Sequence, residues 1–191
     1  AQSAPPENVS RVVVWASETT LGQLPSRPWL IKRSTPNLQR GPLSCILWQL
    51  TGLAAAAHAQ GCDVMLVPGG TFVSRFRPYV AVSQNMLPFD LRETRRFGWS
   101  VATLRLMILR ATQSHGLRRA DGIVFLTEYA QRSITTAIGH VDGTTTVIPH
   151  GVSARFVQEP KVQVAMGEYT ETRPCNILYV STVTQYKHQW H

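Results

Sequence analysis

Residues 120–138, with the sequence ADGIVFLTEYAQRSITTAI, predict a short strand that passes directly into a helix. Residues 122–126 (GIVFL) are apolar on both faces, which is typical of a strand buried in a parallel sheet. Thr127 is suited to cap a helix that begins at Glu128, because its hydroxyl can accept a hydrogen bond from a free N–H of the first turn. A buried strand joined directly to a helix is the repeating unit of α/β proteins.

The rest of the chain repeats this alternation. Gly61 predicts the end of a helix that runs from Ser44 to about Gln60, and Ser100 predicts the cap of a helix that reaches about His115. The alternation predicts a mostly parallel sheet with helices on both faces, in one domain that extends to about Val152. The other predicted strands are residues 11–16, 63–67, 79–83, 144–148 and 176–180, with a weaker strand at 29–32.

Composition limits the class of protein. With 191 residues, of which 43% are apolar, the chain is long enough to bury a core and is not of the disordered type. Its net charge of +8 favours a polyanionic partner: a nucleotide diphosphate, an anionic membrane surface or nucleic acid. Nucleic acid is not predicted, because no recognition motif is present. No apolar run reaches the roughly 20 residues of a membrane span.

Three cysteines, Cys45, Cys62 and Cys175, lack the spacing of a disulfide framework or a zinc site. We therefore expect free thiols in a reducing compartment, which predicts a cytoplasmic protein. His188 and His191 have a metal-like spacing, but no third ligand accompanies them, and we predict no metal site.

The helix expected after Ser100 is rich in arginine. Leu104, Met107, Ile108 and Ala111 share one face at helical spacing, which favours packing of that face against the core. The alternative is an interfacial helix on anionic lipid, with aromatic residues at its start and a peripheral position on the inner face of the membrane. The residues that carry this alternative are Phe97, Trp99, Arg92, Arg95, Arg96, Arg105, Arg110, Arg118 and Arg119.

Loops that follow the predicted strands are the candidate binding positions, because ligands of parallel sheets bind beyond the carboxyl ends of the strands. Each of these loops also has a simpler interpretation: the glycines form a turn, Asn85 caps a turn, and Glu128 interacts with the helix dipole. The candidates are Gly69 and Gly70, Gln84 and Asn85, Glu128, His150 and Gly151, and residues 181–187.

Three motifs, taken in order, resemble the middle of a family 4 glycosyltransferase of the GT-B fold. They are ADGIVFLTEYAQRSI, TTTVIPHGV and NILYVSTVTQYK, which together span residues 120–187, and SQNMLPF resembles the acceptor-side loop of some members. The resemblance implies a Rossmann-like, acceptor-side domain over residues 1–152 that lacks its first strand. It further implies a linker at 153–175 and the truncated start of a nucleotide-sugar domain at 176–191.

The resemblance also implies roles for individual residues. Lys187 matches the family lysine that neutralises the donor diphosphate, whereas Ser181 and Thr182 stand where the family has a Gly-Arg pair, which removes one cation. His150 and Gly151 match a donor-binding wall of the interdomain cleft. Asn85 lies in the loop where many relatives carry a catalytic-side histidine. The acceptor-side loop residues are Gly69, Gly70, Gln84 and Glu128.

The function implied is transfer of a sugar, with retention of configuration, from a nucleotide diphosphate donor to a hydroxyl of a glycan or lipid-linked acceptor, without a cofactor or metal. The paired glutamates of the family are absent from this chain, so we expect the chain alone to be inactive. Two alternatives stay open: a non-catalytic Rossmann-like binding module or relic, and a basic nucleic-acid-binding protein.

Overall fold

A computed structural model describes residues 4–160, 162 and 164–187 of the chain. Six strands form two parallel sheets, one with the order β1-β2 and one with the order β3-β4-β5-β6. The strands are β1 (Val12–Trp15), β2 (Leu30–Arg33), β3 (Met65–Pro68), β4 (Tyr79–Ser83), β5 (Gly122–Phe125) and β6 (Thr144–Val147).

Helices connect and flank these strands. The chain is therefore an α/β protein with parallel sheets flanked by helices, consistent with a Rossmann-like fold, and this prediction is confirmed. The helices are α1 (Glu18–Gln23), α2 (Pro42–Thr51), α3 (Leu53–Ala59), α4 (Leu91–Arg95), α5 (Val101–Arg119) and α6 (Glu128–Ile138), with 3-10 turns at Pro36–Leu38, Leu87–Phe89, Ala154–Phe156, Met166–Glu168 and Gln185–Lys187.

The predicted caps of the two long helices are confirmed. The Thr127 hydroxyl accepts a hydrogen bond from the backbone N–H of Ala130 at 3.0 Å, and the Ser100 hydroxyl accepts one from Thr103 at 3.3 Å. Each cap satisfies a donor that the first turn would otherwise leave free.

The helix predicted from Ser44 to Gln60 begins earlier and is interrupted. Gly41 is its N-cap, and Pro42 occupies the first turn, where its missing N–H costs nothing. The chain leaves the helix at Gly52, where the Trp48 ring lies so close that a β-carbon would be 3.0 Å from it. Gly52 thus separates α2 from α3, and Ser44 is an interior residue of α2.

The core of the four-stranded sheet lies on one face. In-register pairing puts Ala81 beside Ile123 and Ser83 beside Phe125, and all four side chains are buried. Helix α6 covers this face, where Gln131 Nε2 donates to Thr145 Oγ1 at 2.9 Å.

Helix α5 packs on the same face as α6. The Tyr79 hydroxyl donates to the Gly116 carbonyl oxygen of α5 at 2.6 Å, and the Tyr79 side chain lies on the buried side of β4. Right-handed crossovers that add strands in one direction place their helices on one side, which agrees with the order β3-β4-β5-β6. On the other side, Leu66 is exposed and Val82 is partly buried.

The face of α5 that we expected to pack against the core is exposed. Leu106, Gly116 and Leu117 are the buried residues of this helix, whereas Leu104, Met107 and Ile108 face solvent. Length explains part of the difference. A helix of 19 residues is about 28 Å long, whereas a five-residue strand is about 17 Å long, so the first half of α5 extends beyond the sheet.

Residues 176–180, which we predicted to be a strand, are not one. The segment carries no regular secondary structure, and Ile177, Leu178 and Val180 are exposed. A strand requires a neighbour that accepts its backbone hydrogen bonds, and no strand in the described part of the chain pairs with these residues. The division of the chain at residues 152 and 175 stays a prediction.

A cluster of polar groups fixes the amino ends of β4 and β5. The Arg77 guanidinium donates to both carboxylate oxygens of Asp121, at 2.7 and 3.2 Å. Asp121 also accepts from the backbone N–H of Tyr79 at 2.9 Å. The hydrogen bond from Arg77 holds the pKa of Asp121 below its ordinary value, because it favours the ionised form.

Substitution of Asp121 by asparagine should make stability less dependent on pH. Because the pKa of Asp121 is lower in the folded state, its carboxylate stabilises the fold above the ordinary value of 3.8, and this contribution is lost as the pH falls through the folded pKa. Asp121→Asn should therefore lower Tm at about pH 7, and the difference from wild type should shrink at about pH 3. Thermal unfolding followed by circular dichroism measures both.

Asp63→Asn is the matched control, since Asp63 is exposed, and it should change Tm little at either pH. A Tm difference for Asp121→Asn that stays constant between the two pH values would contradict this account of the cluster.

Candidate functional site

The four-stranded sheet brings four candidate loops to one edge. Its register aligns Pro68 with Val82, and Phe125 with both Ser83 and Val147, so the carboxyl ends of all four strands lie level. The loops that follow β3, β4, β5 and β6 therefore begin side by side. They contain Gly69 and Gly70, Gln84 and Asn85, Glu128, and His150 and Gly151.

The glycine pair after β3 shapes its loop. Gly69 has a φ of +107°, which strains any residue with a side chain, and its N–H donates to Val82 O at 2.9 Å. Gly70 is buried against α5, where a β-carbon would lie 3.1 Å from that of Gln113. A β-carbon on Gly116 would overlap the carbonyl oxygen of Gly70. The pair therefore allows the loop to lie against α5. This agrees with the simpler interpretation of the sequence, in which the two glycines form a turn.

Gln84 and Asn85, in the loop after β4, are both exposed. The Asn85 side-chain oxygen accepts from the backbone N–H of Leu87 at 3.0 Å, which makes Asn85 the cap of a turn. This contact fixes the orientation of the side chain, and the amide nitrogen is the group that could donate to a ligand.

The loop after β5 leads into the first turn of α6. Glu128 lies there, exposed, and its carboxylate is 3.3 Å from Arg132 on the next turn. This position also places a negative charge near the positive end of the helix dipole. These two interactions explain why an acidic residue occupies position 128, and neither of them needs a ligand.

The loop after β6 carries His150 and Gly151. Ile148 N–H donates to Phe125 O at 2.8 Å, so the pairing of β6 with β5 continues one residue past the strand. The loop of residues 149–151 therefore begins at the same edge as the other three loops, and the His150 side chain is exposed.

The predicted donor-binding residues near the end of the chain have local contacts. Lys187 Nζ lies 5.3 Å from the ring centroid of its neighbour Tyr186, and the Ser181 hydroxyl donates to the carbonyl oxygen of Thr182 at 3.4 Å. Within the described ranges, Lys187 makes no hydrogen bond or ion pair with the four strand-end loops. His188 and His191 lie outside the described residues, and so does Lys161.

A cavity that sequence reasoning missed lies at the carboxyl end of the two-stranded sheet. Its volume is about 300 Å³, and Arg33, which lines it, donates to the Gln60 side-chain oxygen at 3.3 Å. A smaller cavity of about 270 Å³ shares Ser34 and Thr35 with it. The larger cavity is lined by Trp15, Arg33, Ser34, Thr35, Trp48, Ala56, Ala59 and Gln60.

Part of this cavity could have been found from the sequence. Ser34 and Thr35 follow the weak strand predicted at 29–32. Because ligands of parallel sheets bind beyond the carboxyl ends of the strands, these two residues could have been predicted as candidates. Trp15 and Trp48 come from segments far apart in the chain, and only the tertiary fold brings them together.

The shifted pKa values belong to groups that hold the fold. Burial raises the pKa of the Tyr79 hydroxyl and, near α3, the pKa of the Cys62 thiol. The ion pair with Asp121 raises the pKa of Arg77. These groups lie at the amino edge of the sheet or in the helical layer, away from the four candidate loops.

The chain matches no protein-family model, no curated protein and no solved structure. The resemblance to family 4 glycosyltransferases therefore rests on the sequence motifs. In the described part of the chain, no three His, Cys, Asp or Glu side chains form a metal-binding group, and no helix has the length and hydropathy to cross a membrane.

Substitution of Gly116 by alanine should disturb the glycine loop of the site. The added methyl group would overlap the Gly70 carbonyl oxygen, and such overpacking costs about 1 to 3 kcal/mol. We expect a matching fall in the free energy of unfolding, measured by urea denaturation. NMR amide shifts of Gly69 and Gly70 should also change.

Gly22→Ala is the control, because Gly22 lies in α1 and its β-carbon would meet no atom within 4 Å. It should leave stability unchanged or raise it by about 0.4 to 1 kcal/mol. Equal effects of the two substitutions would show that the contact between α5 and the loop is not tight.

Proposed function

We propose that this chain is the acceptor-side domain of a retaining glycosyltransferase, which transfers a sugar from a nucleotide diphosphate donor to a hydroxyl of a glycan or lipid-linked acceptor. The observation that carries the proposal is the alignment of four strand-end loops at one carboxyl edge. Asn85, His150 and Gly151 belong to loops that begin at this edge, which is where ligands of parallel α/β sheets bind.

The chemistry of this edge suits a ligand rich in hydroxyl groups. Asn85 and Gln84 offer amide groups that donate and accept hydrogen bonds, and His150 offers ring nitrogens that do the same. The one carboxylate among the candidates, Glu128, is paired with Arg132. In the proposed enzyme, Asn85 donates to a sugar hydroxyl, His150 and Gly151 form a wall of the cleft, and Gly69 and Gly70 shape the acceptor loop.

The depression at the two-stranded sheet has groups of the same kind. Indole rings of Trp15 and Trp48 provide an apolar surface, and Arg33, Thr35 and Gln60 provide hydrogen-bonding groups. It is wide open to solvent, whereas small-molecule sites enclose most of the ligand, so the proposal rests on the strand-end loops.

In the proposed reaction, Lys187 neutralises the diphosphate as it leaves, without a metal or cofactor. A compact ammonium is suited to this role, because the charge it offsets develops on phosphate oxygens. The compartment proposed is the cytoplasm, since Cys45, Cys62 and Cys175 are free thiols.

A non-catalytic Rossmann-like binding module is the second candidate. It is favoured by Ser181 and Thr182, which stand in place of a glycine and an arginine and so remove one cation from the proposed donor site. Both candidates predict binding at the carboxyl edge, and turnover of a nucleotide sugar separates them.

Binding of simple glycosides tests the proposed site. In ¹H–¹⁵N NMR spectra, methyl hexosides should shift the amides of Gly69, Asn85 and Gly151. Asn85→Ala should weaken this binding by about 2- to 10-fold, the range expected for one hydrogen bond.

His140→Ala is the control, because His140 is an exposed histidine beside the start of β6, at the opposite edge. It should leave the affinity unchanged. Shifts confined to the amino edge, or no shifts with any hexoside, would contradict the proposed site.

Nucleotide sugars test the donor side. We expect the chain alone to release no nucleoside diphosphate from UDP- or GDP-hexoses, and turnover would show that the roles assigned to the chain are wrong. In a protein with a complete donor domain, Lys187→Ala should weaken donor use by roughly 10- to 150-fold, because a charge-assisted contact contributes about 1.5 to 3 kcal/mol.

Lys187→Arg should recover part of this loss, since a planar guanidinium fits a point-charge site poorly. Lys161→Ala is the control and should change little. If Lys187→Ala and Lys161→Ala have equal kinetics, the proposed role of Lys187 in donor binding is wrong.

A further inference from the structure

The first half of α5 carries a row of exposed apolar side chains. Val101 is 84% exposed, Leu104 62% and Ile108 56%, and Trp99, just before the helix, is fully exposed. Positions 101, 104 and 108 follow the i, i+3, i+7 spacing of one helix face. Single exposed apolar residues are ordinary in proteins, but a contiguous row marks an interaction surface.

The charges around this row are positive. Residues 91–119 contain seven arginines and one acidic residue, Glu93, whose carboxylate pairs with Arg96. The Arg110 guanidinium is partly buried, where it donates hydrogen bonds to the carbonyl oxygens of Pro88 and Phe89. Arg92, Arg95 and Arg105 are exposed, and none of them forms a salt bridge within the described ranges.

We infer that this surface docks on an anionic lipid bilayer. The "α5 surface" is the apolar row of Trp99, Val101, Leu104 and Ile108 together with the exposed arginines of the same segment of chain, Arg92, Arg95 and Arg105. Apolar side chains enter the boundary between headgroups and acyl chains, the tryptophan lies at the interface, and the arginines bind lipid phosphates.

The charges favour a bilayer over a second copy of the chain. A symmetric dimer through the α5 surface would bring the same arginines of two copies together, and like charges across an interface oppose association. An anionic bilayer instead supplies many negative charges to the same groups. The inference does not depend on the proposed transferase activity, because it rests on exposure and charge alone.

Vesicle co-sedimentation tests the inference on the whole chain. We expect binding to phosphatidylcholine vesicles that contain about 30 mol% phosphatidylglycerol, weaker binding at about 0.5 M than at about 0.1 M NaCl, and little binding to phosphatidylcholine alone. The double substitution Leu104→Gln, Ile108→Gln should lower the partition coefficient by about tenfold or more, because it removes the apolar contacts.

The matched control is Leu43→Gln, Leu47→Gln, since these residues are 83% and 59% exposed and also lie four residues apart, on α2. It should leave vesicle binding unchanged. All four positions are exposed, so circular dichroism melting should show that both variants fold. Arg92→Gln, Arg105→Gln should reduce binding more than Arg40→Gln, Arg155→Gln, which removes the same charge elsewhere.

Tryptophan fluorescence gives an independent readout. The emission should shift to shorter wavelength with anionic vesicles, and Trp99→Phe should abolish the shift. Binding that is equal in the α5 and α2 variants would overturn the inference, and so would absence of binding. A dimer in size-exclusion chromatography that Leu104→Gln, Ile108→Gln dissociates would also overturn it, in favour of contact between two copies.

Discussion

The pairing of β4 with β5 is the interaction on which the four-stranded sheet and its loops depend. These are the two central strands, and β3 and β6 each attach to one of them. Asp121 fixes their amino ends, because its carboxylate binds the Tyr79 N–H of β4 while Asp121 itself leads into β5. A slip of one residue in either strand would turn its buried side chains, such as Ala81 or Ile123, out of the core, since successive side chains point to opposite faces.

The same pairing connects the core to the candidate site. Tyr79 leaves β4 on the buried face and binds the Gly116 carbonyl oxygen, which holds the end of α5 on the sheet. Gly116 in turn lets the Gly70 loop approach the helix closely. A register fixed at the amino edge therefore determines where the loops at the carboxyl edge lie, although no candidate residue touches Asp121.

Features of the fold that depend on neighbouring residues alone were predicted correctly from the sequence. Thr127 and Ser100 were recognised as caps because a hydroxyl before an apolar helix satisfies free N–H groups wherever the helix packs. The strand-end loops were also predictable, since the carboxyl ends of parallel strands meet at one edge. The roles of the residues in these loops were not, because a turn cap such as Asn85 and a ligand-binding amide look alike in sequence.

Predictions that depended on a distant partner were wrong. Helix α5 is apolar on two sides, with Leu106 and Leu117 on one and Leu104 and Ile108 on the other, so its periodicity could not decide which side is buried. Residues 176–180 have the composition of a strand, but composition does not supply a neighbouring strand. The cavity beside Trp15 and Trp48 was missed for the same reason, because its walls come from three segments.

The length of α5 relates the α5 surface to the candidate site. The helix runs from the carboxyl edge, after β4, to the amino edge, before β5, and its last turns are the part that packs on Tyr79. Its first half therefore extends past the carboxyl edge, where Arg110 binds the turn that follows β4. Arg110, in the middle of the helix, therefore joins α5 to the turn that Asn85 caps, which connects the helix that carries the α5 surface to the loop after β4.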